Sequence, residues 1–194
     1  MPTGPGGLDA NGIWQYGEDD TEALASDLLN LGMGSVSTAV GGLGAPTILQ
    51  VVSTTKTDTF TTTSVTRSDV TGFTASITPA STSSKILVMV DMKTGSQSGS
   101  NGVYWYLMRD SSDIYIGDVS GAVERSSGFP SSPDSVVLTS ENAIYLDSPS
   151  TVSSVTYKVQ IATNTSGQIS AVNRDKSGTY AVTASSITLI EVAG

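Results

Sequence analysis

Few side chains in this sequence could do covalent chemistry. It contains no His and no Cys, which removes the commonest general base, the commonest neutral metal ligand and any thiolate nucleophile. Serine is plentiful, but no G-x-S-x-G turn joins a strand to a helix, so a Ser near a Lys reads as chance pairing. Carboxylates remain. Two of them in a cleft can hydrolyse a glycosidic bond when their surroundings push their pKa values apart. The acids Asp91, Asp110, Asp113, Asp118, Glu124, Asp134, Glu141 and Asp147 mostly flank turns, where local hydrogen bonding is their ordinary work. No D-x-[DN]-x-[DN]-G loop is present, and the run Glu18, Asp19, Asp20, Glu22 fits a helix start better than a calcium site. The expectation is therefore no catalytic residue, no metal and no cofactor, with a glycan-degrading enzyme as a minor alternative. "SGSNG" at 98–102 lacks the Lys-Ser/Thr pair of a phosphate loop and reads as a hairpin tip. "NTS" at 164–166 fits a glycosylation sequon, a triplet frequent in any Ser/Thr-rich chain.

Recognition is better supplied than catalysis. Tyr104, Trp105 and Tyr106 are consecutive, so on a strand the two tyrosines share one face and Trp105 takes the other. At least one of those faces belongs to a core or a subunit interface. The stretch 119–134, "VSGAVERSSGFPSSPD", is long for a sandwich turn and offers Arg125 and Phe129 at its tip, either as a receptor loop or as a loop with no ligand. Asn173 and Arg174, within 164–178, form a weaker group of the same kind. Near the start, Ile13, Trp14 and Tyr16 stand in a Gly/Pro-rich arm that cannot bury enough surface by itself to stay ordered.

These residues need elements to hold them. A length of 194 residues suits one sandwich or barrel with an appendage. The division expected is an arm over 1–18, a helix and linker over 19–46, and a β domain over 47–194. Asp19, with Glu22 three residues later, resembles the capping box of a helix start. Leu29, Met33, Val36, Val40 and Leu43 follow at spacings of 4, 3, 4 and 3, the seam of a short coiled coil. Gly32 and Gly34 weaken it, and the same pattern fits an amphipathic helix packed on its own domain. "GGLGAP" at 41–46 reads as a linker.

Beyond it, Ser, Thr and Gly crowd the chain and only 14% of residues are charged, a mix that disfavours helices. Strands are predicted at 47–54, 57–65, 73–78, 85–93, 102–109, 113–117, 135–146, 154–163, 168–173 and 185–192. Their number and spacing point to an all-β fold, an antiparallel β-sandwich, jelly-roll-like. Val155, Tyr157, Val159 and Ile161 alternate with polar residues, giving one buried face, and the strand at 185–192, apolar on both faces, reads as central or covered on both sides.

Eighteen acids against nine bases give a net charge of −9, with no cation before Lys56, so nucleic acid is repelled. No signal peptide is read at the start. The apolar run "ILVMV" at 86–90 is too short to span a bilayer, so no membrane insertion is expected.

The head "GIWQYGEDDTEALASDLLNLGMGSV" resembles the start of tail-fibre and minor tail proteins of double-stranded DNA bacteriophages. The body is similar to a β-rich module of phage structural proteins, through "ILQVVSTTKTDTFTTTSVTRSDVTGFTASITPASTSSKILVMVDM", "YLMRDSSDIYIGD", "IYLDSPSTVSSVTYKVQIAT" and "SSITLIEVAG". That resemblance implies a virion component made in the cytoplasm of a bacterial host: a short homotrimeric fibre with no catalytic motif. Its partners would be other virion proteins of tail, neck or capsid, and a host surface glycan or protein. Ile13, Trp14 and Tyr16 would then dock the arm, and the heptad residues would gather three chains. A capsid decoration or head-fibre protein is the alternative.

Overall fold

The computed structural model describes residues 7–8, 14–15, 48–96, 102–131 and 136–194. Two compact units divide the chain, Met1–Thr47 and Ile48–Gly194. In the first, β1 (Gly7–Leu8) pairs antiparallel with β2 (Trp14–Gln15), Leu8 standing opposite Trp14. A backbone ladder needs no buried side chains, so an arm poor in apolar residues still forms one. Ile13, Tyr16, the expected helix and its seam of Leu29, Met33, Val36, Val40 and Leu43 lie outside the described residues.

The second unit is all-β. Its strands are β3 (Ile48–Lys56), β4 (Phe60–Thr62), β5 (Ser68–Ile77), β6 (Lys85–Gly95), β7 (Val103–Arg109), β8 (Ser112–Ile114), β9 (Leu138–Asp147), β10 (Val155–Thr163), β11 (Ser170–Val172) and β12 (Ser185–Val192). Every pairing among them is antiparallel. One sheet runs β5-β10-β7-β8 and the other β3-β12-β6-β11-β4, with β9 also on β6. Residues 86–91 of β6 pair with both β12 and β9, which therefore flank it on opposite sides. Thr94 and Gly95 pair with β11 as well as β9, so β11 continues the line of β12 and β4 that of β3.

The two sheets close on each other through their period-two faces. Phe73, Ala75 and Ile77 of β5, Trp105 and Leu107 of β7 and Val155, Tyr157, Val159 and Ile161 of β10 meet Ile86, Val88, Val90 and Met92 of β6 and Ile187 and Leu189 of β12. Each Val, Leu, Ile, Phe or Met among them contributes about 1.5–3 kcal/mol by leaving water, and this continuous layer makes the unit a β-sandwich. As the sequence suggested, β12 is central, between β3 and β6. Its outer face is only half-buried: Ile190 aligns with Val51, Leu87 and Leu146 in one row, and Val51, Met89, Ile144 and Leu146 stand exposed.

Strand β5 extends five residues before the predicted start. Val70 and Phe73 both point inward although only two residues lie between them, a spacing that strict alternation would send to opposite faces. The register against β10 slips between Lys158 and Gln160, and Gly72 takes a φ of 76°, so the strand carries a bulge. Buried Lys56 anchors it, donating from Nζ to the Thr71 carbonyl at 2.7 Å and to Asp58 at 2.8 Å.

Ionic groups also pin the sandwich from within. At the ends of β7, β9 and β10, Asp147 accepts two bonds of 2.9 Å from one Arg109 nitrogen and one of 2.6 Å from the Tyr157 hydroxyl. Burial first, and Asp147 second, push the Tyr157 hydroxyl well above the usual tyrosine range. On β12, Glu191 faces inward and accepts from Gln50 at 2.6 Å and from the Ala80 N–H at 2.7 Å. Burial alone would raise its pKa, but these donors outweigh it and hold Glu191 below the usual range.

Candidate functional site

The outer face of the four-stranded sheet collects the aromatic and charged residues. Alternation along β7 places Trp105 in the core at 1% exposure and turns Tyr104, Tyr106 and Met108 to the other side, as the consecutive aromatics suggested. On neighbouring β10, Ala162 stands opposite Tyr104. Ser68 pairs with Ile161, and extending that ladder by one residue sets Arg67 beside Ala162, whose methyl leaves room above it. The Arg67 guanidinium lies over the Tyr106 ring, 3.6 Å from its centroid.

Two carboxylates clamp that guanidinium. One Arg67 nitrogen donates to both oxygens of Asp113 at 2.8 and 2.9 Å, and the other donates to Glu124 at 3.1 Å. Tyr106 completes the ring, its hydroxyl donating to Glu124 at 2.9 Å. The Tyr106 and Arg67 bonds hold Glu124 below the usual carboxylate range. Burial and then the bond to Glu124 push Tyr106 well above the usual tyrosine range. At neutral pH Glu124 is thus an anion and Tyr106 a neutral donor. Neither is poised to exchange a proton, because each stabilises the other in its present form. A shallow hollow of about 370 Å³ lies against this array, bordered by Tyr104, Tyr106, Arg67, Glu124, Thr163 and Asn164.

The long loop after β8 is fastened to the sheet. The Gly117 N–H donates to Ser126 O at 3.3 Å and Arg125 Nε donates to Gly117 O at 2.6 Å, closing the neck of an excursion between them. The returning leg then runs along β7: Trp105 bridges Gly128 and Gly102 bridges Ser131, both antiparallel. Ser127 Oγ accepts the Leu107 N–H at 2.8 Å. Gly128 fits because a Cβ there would collide with the Trp105 indole.

Arg125 and Phe129 are therefore on the neck and returning leg, where the sequence suggested a tip. Phe129 stacks on Tyr104 with centroids 4.4 Å apart. Asn173 requires a correction. It is fully buried, with a φ of 62°, and donates from Nδ2 to Lys56 O at 2.8 Å and Asp58 O at 3.0 Å, while its Oδ1 accepts from Ser185. A side chain that satisfies three buried partners holds the fold and does not face a receptor. Arg174 donates to the carbonyls of Asp175 and Lys176 in the same turn, away from Arg125 and Phe129 in the bonding pattern. Trp14 lies on β2.

A second hollow opens between sheet edges. β8 ends the four-stranded sheet and β9 borders the other. Between them lies a cleft of about 650 Å³ lined by Asp113, Tyr115, Gly117, Ser126, Ser127 and Tyr145, together with Ile114 and Ile116. Tyr115 and Tyr145 rings meet at 5.7 Å and 51°. Sequence reading passed over Arg67, Tyr115 and Tyr145 because their partners are remote: Arg67 is 46 residues from Asp113 and 57 from Glu124. No local motif marks such an array; a lone cation entering a strand of an acidic chain was the available signal. Among the described residues no group of three or more acidic side chains is placed to hold a metal ion.

Comparison with known proteins finds no matching family model and no matching curated protein. Solved structures of infectious bursal disease virus overlap the fold in part. The Gx strain gives a TM-score of 0.41 at 9% identity over 75% of this chain and 37% of that one. The Gt strain gives 0.36 at 12% over 75% and 38%. A D431N mutant VP2 protein from T=1 particles gives 0.39 at 12% over 74% and 36%. This chain thus spans little more than a third of each neighbour. Overlaps of this depth bear on neither the activity nor the assembly of the protein.

Proposed function

We propose that this chain is a bacteriophage virion structural protein, a short homotrimeric tail fibre that docks through its N-terminal arm and recognises the host surface with its β-sandwich. The reading rests on the resemblance of its head and body to phage tail and structural proteins. One observation carries the recognition half. The aromatic and charged array around Arg67 and Tyr104 is fixed in advance by a sheet and a strapped loop, so little ordering entropy is lost when a ligand lands. The same clamp favours binding over turnover, since Arg67 occupies the two carboxylates that a hydrolase would need free. Three sandwiches on one fibre would add avidity to weak single sites.

A capsid decoration protein is the second reading, favoured by the exposed apolar row on the six-stranded sheet, which suits a face laid against a shell. Adsorption of the purified full chain to host cells separates the two. A fibre binds and blocks phage attachment; a decoration protein does neither. Docking has its own test: Trp14→Ala in the full chain should remove the protein from purified particles, and retention at normal copy number would refute the anchor role.

A further inference from the structure

The cleft between β8 and β9 has features that neither folding nor the clamp around Arg67 explains. Tyr115 directly follows the last residue of β8 and takes a φ of 53°, a left-handed conformation that a bulky residue adopts only when its surroundings impose it. The residue is 44% exposed, so burial compensates the conformation only in part. Glycine or asparagine would close the same turn at lower cost. What the tyrosine adds is a second aromatic wall facing Tyr145, whose ring is itself rooted against the core.

We infer that this cleft binds a neutral oligosaccharide, a deepening of the attachment function on which it rests. The chemistry of the lining selects that class. Two tilted tyrosine rings offer apolar faces for the C–H faces of a pyranose, together with hydroxyls at their edges. The lining also includes Ser126, Ser127 and Asp113, whose hydroxyl and carboxylate groups are of the kind that exchange hydrogen bonds with sugar hydroxyls. Among the described residues that line the cleft none is Lys or Arg, Asp113 is an acid, and the whole chain carries −9. The two arginines bonded to lining residues are engaged there, Arg67 with Asp113 and Arg125 with the Gly117 carbonyl, so an anionic sugar would enter against a net negative field. The cleft is open to solvent, and its volume of about 650 Å³ is of the size of small-ligand sites, roughly 300–1,000 Å³. Arg67 holds both Asp113 oxygens, which fixes the carboxylate and leaves each oxygen a further lone pair.

The test is ligand-observed saturation-transfer NMR on the full chain with four neutral trisaccharides, of glucose, N-acetylglucosamine, mannose and galactose, beside sialyllactose as the acidic probe. At least one neutral trisaccharide is expected to bind, and Tyr115→Gly should weaken it about tenfold or more. That variant removes the ring and accepts the left-handed φ, so its melting temperature should not fall below wild type. Tyr180→Ala, outside the cleft and at an exposed position, should bind as wild type. The inference is overturned if no neutral trisaccharide binds, if Tyr115→Gly binds unchanged, or if sialyllactose binds as tightly as the best neutral probe. Host-cell adsorption distinguishes the two levels. Adsorption equal in wild type and Tyr115→Gly defeats the cleft and leaves the attachment function standing. Trisaccharide binding lost in Tyr115→Gly with no wild-type adsorption to cells supports the cleft and defeats attachment.

Discussion

Replacing Asp147 by Asn separates the charge of the buried cluster from its shape. The Asp147 side chain is 5% exposed and takes both Arg109 bonds at 2.9 Å and the Tyr157 hydroxyl at 2.6 Å. Asparagine keeps one acceptor and the volume but loses the charge that Arg109 neutralises. Breaking a fully buried pair costs about 3–5 kcal/mol. Arg109 is 29% exposed and can turn toward water, so the expected loss is smaller, about 2–4 kcal/mol. Tyr157→Phe leaves the ion pair intact and removes one bond to a charged acceptor, about 1.5–3 kcal/mol, with no cavity because the ring stays. Urea unfolding of the full chain measures both, through a shift in midpoint at unchanged m-value. The double variant should cost less than the sum, because Tyr157 and Asp147 share one bond. A loss below 1 kcal/mol for Asp147→Asn, or strict additivity, would refute the cluster as a stabilising unit.

Arg67→Met should destabilise the sandwich by about 1–2 kcal/mol, combining a lost cation–π contact with two part-exposed ion pairs. Hydrogen exchange should quicken at the amides of 117–127, and unchanged protection there would contradict the clamp. Gly128→Ala should cost about 1–3 kcal/mol by overpacking against Trp105, read as a lower urea midpoint. Of the seven tyrosines, Tyr106 and Tyr157 should resist ionisation in an ultraviolet titration at alkaline pH. Both have raised folded-state pKa values, so their contribution is complete below the ordinary tyrosine value near 10 and is lost as pH climbs above it. At the acid end Asp175 and Glu191 are both lowered, Asp175 first by its Ser177 bond. Their contributions hold above about pH 4 and fade as pH falls through the folded values; stability constant from pH 5 to 2 would contradict those bonds.

Alternation made the strands legible wherever one face is apolar, as along Val155 to Ile161, and Gly/Ser/Asp punctuation marked their ends. It failed at β5 because the bulge at Gly72 breaks the period on which the reading depends. Tyr104 and Tyr106 could be assigned to a common face from their spacing alone. The ring over which Arg67 lies could not, since it forms from strands brought together by sheet order, and sheet order is set by long-range packing. Asn173 misled for a related reason: an Asn-Arg-Asp run has the composition of an exposed turn, yet its amide serves three partners inside the fold.

The central claim, that the chain belongs to the virion and faces its host from a tail, is tested most directly by immunogold labelling of intact purified particles with antibody raised against residues 48–194. Label confined to tails is the predicted result. Particles that carry no label, or carry it evenly over the head, would contradict it.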